Sequence, residues 1–274
     1  MSKLTQNITL SFLFFALVPL FLIHANEIEG PYPDFTSARA AGLGNAMIAA
    51  SDGGFSSFWN PAGMLRMPSV EFDFQQNQPR DNLKYDPKLI AIKHKVWAFS
   101  WANKIAIAGN GTYDFTYTAI SRYFSAKTAH GISLIWKRRH PVDYFQYLGD
   151  YYGFLYGGQY FINSNLRVGL TAEFKVNGDI LIMGAGIAKQ FKTLLLTADV
   201  KRYKTWRANI GTEYLYKFVK LRAGFDSVNG PTAGAGIKIN INSPYFYGIT
   251  SDLAYIFEKR DNVPRFIYTL SLLF

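Results

Sequence analysis

From Ser69 to the C-terminus, apolar and polar residues alternate with a period of two through one segment after another. The last segment shows the pattern most simply. Phe266, Tyr268, Leu270, Leu272 and Phe274 share one parity; Arg265, Ile267, Thr269, Ser271 and Leu273 share the other. Successive side chains of a β-strand point to opposite faces, so residues 264–274 predict a strand with one wholly apolar and one mixed face. Aromatic residues stand at both ends of the apolar face with leucines between them. A strand facing lipid needs this arrangement, with an aromatic girdle at each interface.

The same reading extends upstream. Val70, Phe72 and Phe74 alternate with Glu71, Asp73 and Gln75, and residues 89–94 and 96–103 predict a hairpin turning near residues 93–95. Tyr113, Phe115, Tyr117, Ala119 and Tyr123 are assigned to a lipid face opposite Thr112, Asp114, Thr116, Thr118 and Arg122. Further on, Leu166, Val168 and Leu170 oppose Arg167, Gly169 and Glu173; Trp206, Ala208 and Ile210 oppose Arg207, Asn209 and Glu213; Val219 and Leu221 oppose Lys220 and Arg222. Charges fall almost wholly on one face and share it with glycine. Glycine weakens a strand on a solvent face, whereas on an inward face it makes room for packed chain. The fold class predicted is therefore all-β: a closed, transmembrane, antiparallel barrel of about 14 strands, or 12 if the first hairpin is one strand and a weak strand merges. Connections near residues 76–85, 103–111 and 138–150 read as long, and those near 93, 125, 163–165 and 217 as short. That alternation puts both termini at the short-turn end.

Composition agrees with this picture. The chain is 49% hydrophobic and 17% aromatic but only 18% charged, against about 25% charged in soluble domains. It has no cysteine, which excludes disulfides, thiolate metal sites and a cysteine nucleophile. Lys3, the apolar run 10–23 broken by Ser11 and Pro19, and Ile23-His24-Ala25 predict a secretory signal peptide over residues 1–25. The run is too short for a spanning helix of about 20 residues.

Residues 26–66 precede the strands of residues 67–274. Within them, Ser37-Ala38-Arg39-Ala40-Ala41-Gly42-Leu43-Gly44-Asn45-Ala46 is rich in small residues, and Asn60-Pro61-Ala62-Gly63-Met64-Leu65 opens on a turn signal. The residues alone predict a compact, non-spanning segment. Together the two motifs resemble the N-terminal signature of FadL-like outer-membrane proteins, especially the shorter PorV-type branch. The match covers residues 37–65; the rest matches in pattern only. The resemblance implies a plug folded into the lumen, with Arg39, Gly42, Gly44, Asn60, Pro61 and Gly63 as its motif. It further implies uptake of hydrophobic, fatty-acid-like molecules; a PorV-type scaffold or shuttle for secreted proteins and a structural barrel stay open beside it. The terminal strand, with Tyr268 and Phe274, resembles the segment by which barrel-assembly machinery recognises such proteins.

No catalytic constellation is found. His130 and Ser133 are three apart in a strand and so face opposite sides, and His94 and His140 fall at a turn and in a loop. Gly184/Gly186 and Gly234/Gly236 lie within strands with no helix following, so they are not phosphate loops. No metal ligands and no cofactor are expected. The inward charges, Glu71, Asp73, Glu173, Asp199, Glu213 and Asp252 against Arg122, Arg167, Lys175, Arg207, Lys220, Arg222 and Lys238, are expected to pair with one another and with Arg39 and Asp52. The net charge of +10 is carried in part by Arg80, Lys84, Arg138, Arg139, Lys201, Arg202, Lys204, Lys259 and Arg260, with His140 among them in the chain. These are placed on external loops facing lipopolysaccharide phosphates rather than nucleic acid.

Overall fold

The computed structural model describes residues 36–77, 84–85, 87–108, 111–141, 150–176, 180–202, 205–241, 243, 245–257 and 264–274. The expected signal peptide and residues 26–35 lie outside the described residues, as do Arg80, Lys204, Lys259, Arg260 and the side chains of Lys84, Arg138, Arg139 and His140.

The strands are β1 (Val70–Asn77), β2 (Lys84–Tyr85), β3 (Lys88–His94), β4 (Trp97–Ala108), β5 (Gly111–Ser125), β6 (Thr128–Pro141), β7 (Asp150–Phe161), β8 (Leu166–Lys175), β9 (Ile180–Phe191), β10 (Leu194–Arg202), β11 (Trp206–Tyr216), β12 (Val219–Asp226), β13 (Gly230–Asn240), β14 (Gly248–Phe257) and β15 (Pro264–Leu273). The two-residue β2 pairs only with β4. The other fourteen form a closed antiparallel barrel, in which β1 lies between β3 and β15. The first hairpin is two strands, so the larger of the two expected counts is the observed one. At the seam, Val70 and Phe274 exchange backbone hydrogen bonds of 2.8 Å in both directions.

Both ends of the described chain's barrel lie at one rim. Two-residue turns join β3 to β4, β5 to β6, β9 to β10 and β11 to β12 there. Asn163 pins the β7–β8 turn by accepting from the backbone N–H groups of Asn165 and Leu166, each at 2.9 Å. At the opposite rim the connection expected to be long near residues 103–111 is short, because β4 continues to Ala108 and β5 begins at Gly111. Residues 103–108 pair fully with β5, and this sheet pairing overrides the loop signal of Asn103 and Lys104.

Strand parity sorts the side chains. In β15, Ile267, Thr269, Ser271 and Leu273 are buried inside, while Phe266 and Tyr268 are exposed outside. Exposed Phe99, Trp101, Leu134, Trp206, Ile210, Leu221, Phe225, Ile237 and Leu253 continue the apolar outer wall. One strand reverses the expectation. In β5, Phe115, Tyr117 and Ala119 are buried inward, while Thr118 and Arg122 are exposed outward. The cause lies inside the barrel, where residues 36–67 are packed. They contain two short helices, α1 (Ala38–Gly42) and α2 (Ser56–Trp59), and a 3-10 turn (Pro61–Arg66). The Phe58 ring of α2 packs 4.5 Å from that of Tyr117. Here the wall meets the apolar side of the segment, and burial of apolar surface favours an inward aromatic face. Ala91, Ala98, Ala102 and Ala129 keep the same side of the wall shallow enough for Phe55, Trp59 and Met64.

Candidate functional site: the luminal segment and the wall that holds it

A segment running through a barrel interior without a strand partner leaves its carbonyls and N–H groups unpaired unless the wall supplies partners. Here inward side chains supply them. Thr197 Oγ1 donates to Ala46 O at 3.0 Å, Asn209 Nδ2 to Gly44 O at 2.6 Å, and Lys201 Nζ to Asn45 O at 2.6 Å. Ser121 Oγ donates to Pro61 O at 2.6 Å and Ser133 Oγ to Ser57 O at 2.7 Å. Arg167 donates to the carbonyls of Ala49 and Ala50, while Asp199 Oδ2 accepts from Ile48 N at 2.7 Å.

Each residue of the predicted N-terminal motif has a local task in this docking. Asn60 caps the 3-10 turn by accepting from Ala62 N at 3.2 Å, and its Nδ2 donates to Ile48 O at 2.8 Å and to Gly158 O at 3.1 Å. Pro61 starts that turn at a position where a missing N–H costs nothing. Gly42 lies against Gly234, where a Cβ would come 3.2 Å from the facing Cα. Gly44 has φ +62° and touches the backbone of Phe225, so both its conformation and its contact require glycine. A Cβ on Gly63 would come 2.6 Å from Ser51 O.

Charge is concentrated around Arg39. Its Nη1 lies 2.6 Å from Asp52 Oδ1 and its Nε 2.9 Å from Glu213 Oε2. Arg222 extends the chain on the wall, with Nε 2.6 Å from Glu213 Oε2 and Nη1 2.7 Å from Asp252 Oδ1. Burial works against the charge on Arg39, but Asp52 and Glu213 more than offset it and hold the guanidinium charged. Burial likewise opposes the charge on Asp52, and Arg39 outweighs it, leaving the carboxyl below its ordinary value. Arg39, Asp52, Arg66, Glu71, Lys220 and Asp252 line a polar cleft of about 220 Å³. A larger cavity of about 860 Å³ opens at the short-turn rim and is lined by Arg66, Arg167, Tyr123, Phe124, Phe161 and Leu166 among others.

The expected inward charges therefore divide. Glu71, Asp73, Arg167, Glu173, Glu213 and Arg222 are buried inside and Arg207 and Lys220 are half-buried there. Arg122 is not among them, because β5 is reversed. Lys201, expected on an external loop, is buried, with its Nζ 4.7 Å from the Trp59 ring centroid. The neutral inward residues Ser121, Ser133, Gln159, Thr197 and Asn209 had no place among the expected site residues. Parity carried the signal for four of them, since Ser133, Gln159 and Asn209 share a parity with glycine in their strands and Thr197 shares one with Asp199, whereas Ser121 stands on the face of β5 expected to meet lipid. Tyr268 sits on the outer wall, and Phe274 packs against Phe72 and Phe246 at ring separations of 5.6 and 4.9 Å.

No family model matches the sequence, and no curated protein matches it. Solved structures do share its architecture. It is similar to the Ralstonia pickettii toluene transporter TbuX, at 12% identity and a TM-score of 0.61 over 85% of this chain and 98% of that one. A Pseudomonas aeruginosa FadL homologue aligns at 11% identity and 0.59 over 85% and 97%. The Pseudomonas putida toluene transporter TodX aligns at 12% and 0.57 over 91% and 98%. The closed fourteen-strand wall and these alignments together give the chain the fold of the FadL-type barrels.

Proposed function

We propose that this chain is an outer-membrane barrel that lets small hydrophobic molecules pass, with residues 36–67 acting as its plug. The observation that carries the reading is the filled interior. The segment is bonded to the wall through its own carbonyls and through Arg39, and so occupies the lumen. The apolar outer wall supports residence in a bilayer, and the short-turn rim, where both ends lie, is the periplasmic side. Arg202, exposed with its guanidinium 5.9 Å from the Trp206 ring at the other rim, is a candidate contact for lipopolysaccharide phosphate. The Phe274 end is a candidate for recognition by the assembly machinery. Uptake of radiolabelled toluene or oleate by cells whose lipopolysaccharide leaflet slows passive entry tests the transport reading: faster uptake with the protein than without it supports it, and equal uptake overturns it. Capture of secretion components from cells by a barrel that admits neither solute would favour the scaffold reading instead.

A further inference from the structure

One row of side chains crosses four neighbouring strands on the outer wall. His94 pairs with Trp97, Trp97 with Arg122, and Arg122 with His130. Residues opposite one another in antiparallel strands project to the same side. His94 and Arg122 are exposed, and Trp97 and His130 half-exposed. The row lies beside the two-residue turns at the short-turn rim, where Lys95 and Lys127 are exposed as well. Exposed turn lysines recur around the rest of that rim, at Lys192 and Lys217, with Lys189 over Phe191 and Lys217 over Tyr216, but the other outward residues there are Phe72, Val219, Ile239, Ile249 and Leu272, with no outward arginine among the described residues.

Arg122 is the centre of the row. Its guanidinium carbon lies 4.8 Å from the Trp97 ring centroid and 5.6 Å from that of Phe124. Phe124 meets His130 edge-on at 5.1 Å, and His130 Nδ1 is hydrogen-bonded to Tyr156 Oη at 2.5 Å. Among the described residues Arg122 enters no ion pair. Aromatic rings hold the guanidinium plane while leaving its N–H fork without an acceptor, and that fork matches a phosphate. On a wall that faces lipid, at the level where hydrocarbon gives way to headgroups, the anion within reach is that of a phospholipid.

Resting on the outer-membrane reading above, we propose that Arg122, supported by Trp97, Phe124 and His130, binds the phosphate of a phospholipid in the periplasmic leaflet and fixes one lipid against β4–β6. The site is on the outside of the barrel and separate from the luminal segment.

The test uses the full-length mature chain folded in detergent, with retained lipid counted by native mass spectrometry. The probes are dioleoyl phosphatidylglycerol and dioleoylglycerol, which has the same chains without phosphate. Wild type retains the phosphatidylglycerol and not the dioleoylglycerol. Arg122→Gln lowers retention about fivefold, the effect of one arginine at a lipid surface, and Arg122→Lys is intermediate because it keeps charge without the fork. Lys217→Gln, a cation 5.5 Å from the Tyr216 ring on another turn of the same rim, leaves retention unchanged. Equal retention by Arg122→Gln, or equal retention of dioleoylglycerol, overturns the proposal. Displacement by millimolar glycerol phosphate also overturns it, by showing a free-anion site. A heat-sensitive gel shift confirms that each variant is folded. If wild type fails to insert into liposomes, the outer-membrane reading fails; if it inserts and Arg122→Gln retains lipid normally, only the lipid site does.

Discussion

Arg39 donates through Nε to Glu213 Oε2 at 2.9 Å, and the same oxygen accepts from Arg222 Nε at 2.6 Å. One acidic oxygen thus joins a cation of the luminal segment to a cation of the wall. Removing Arg39 leaves Asp52 without its partner and Glu213 with one of two.

Arg39→Glu places three carboxylates where one guanidinium balanced two. Breaking a fully buried pair costs about 3–5 kcal/mol, and the effect here is smaller because about a third of the Asp52 side chain (33%) is open to solvent. The segment is expected to loosen and the single-channel conductance in planar bilayers to rise well above wild type. Glu213→Gln, which removes charge but little volume, should raise it less. Conductance unchanged in both variants would show that the network does not hold the segment.

Acid should act at the same place. The carboxyl of Asp52 is held below its ordinary value of 3.8, chiefly by Arg39 acting against burial. A depressed carboxyl contributes stability that is fully present above its unfolded value and is lost as pH falls through the folded one. The contribution of the Arg39–Asp52 pair to docking is therefore expected to be constant at neutral pH and to weaken only below about pH 4. Conductance recorded from pH 7 to pH 3 checks this, and Asp52→Asn should flatten the acid part of the curve.

Two adjacent glycines in β7 should differ sharply. A Cβ on Gly157 would run into Asn60 Oδ1 and come 2.6 Å from Pro61 Cδ, whereas one on Gly158 would find its nearest neighbour, His130 Nδ1, at 3.5 Å. Gly157→Ala is expected to displace the 3-10 turn and reduce the yield of heat-resistant folded barrel. Gly158→Ala, on the outer wall, should assemble like wild type.

The absence of native cysteine allows single-cysteine labelling to map the faces. Cysteine at Thr118 should react with a bilayer-soluble maleimide, and cysteine at Tyr117 should be protected. Val168 and Arg167 should show the same contrast, reactive and protected respectively. A reactive Tyr117 position would restore the opposite orientation of β5.

Period-two alternation was enough to place most of the wall, because on β8, β11, β12 and β15 the charged or glycine-bearing parity is the inward one. It misled on β5, where Phe115 and Tyr117 are apolar for the sake of Phe58 rather than of lipid. An aromatic side chain satisfies either environment, so composition cannot choose between them. Lys201 was misplaced for a related reason: a lysine at a strand end reads as solvent-facing unless Asn45 O and the Trp59 ring are known to lie within its reach. The charges Arg39, Glu213 and Arg222 could be named from the sequence, but their meeting at one oxygen depends on a barrel that brings residues 174 positions apart into contact.

The seam between β1 and β15 sets an order of events. The luminal segment lies immediately ahead of β1, and the wall becomes continuous only when the C-terminal strand reaches Val70. A chain without its final strand would have a gap on the flank of β1 and two rows of unpaired backbone groups. Enclosure of the segment must then be under way as the wall curls round it, since a sealed cylinder would have to be entered end-on. Closure of the wall and placement of the segment become a single step, and an alteration at either end of the described chain should register as a defect in the other.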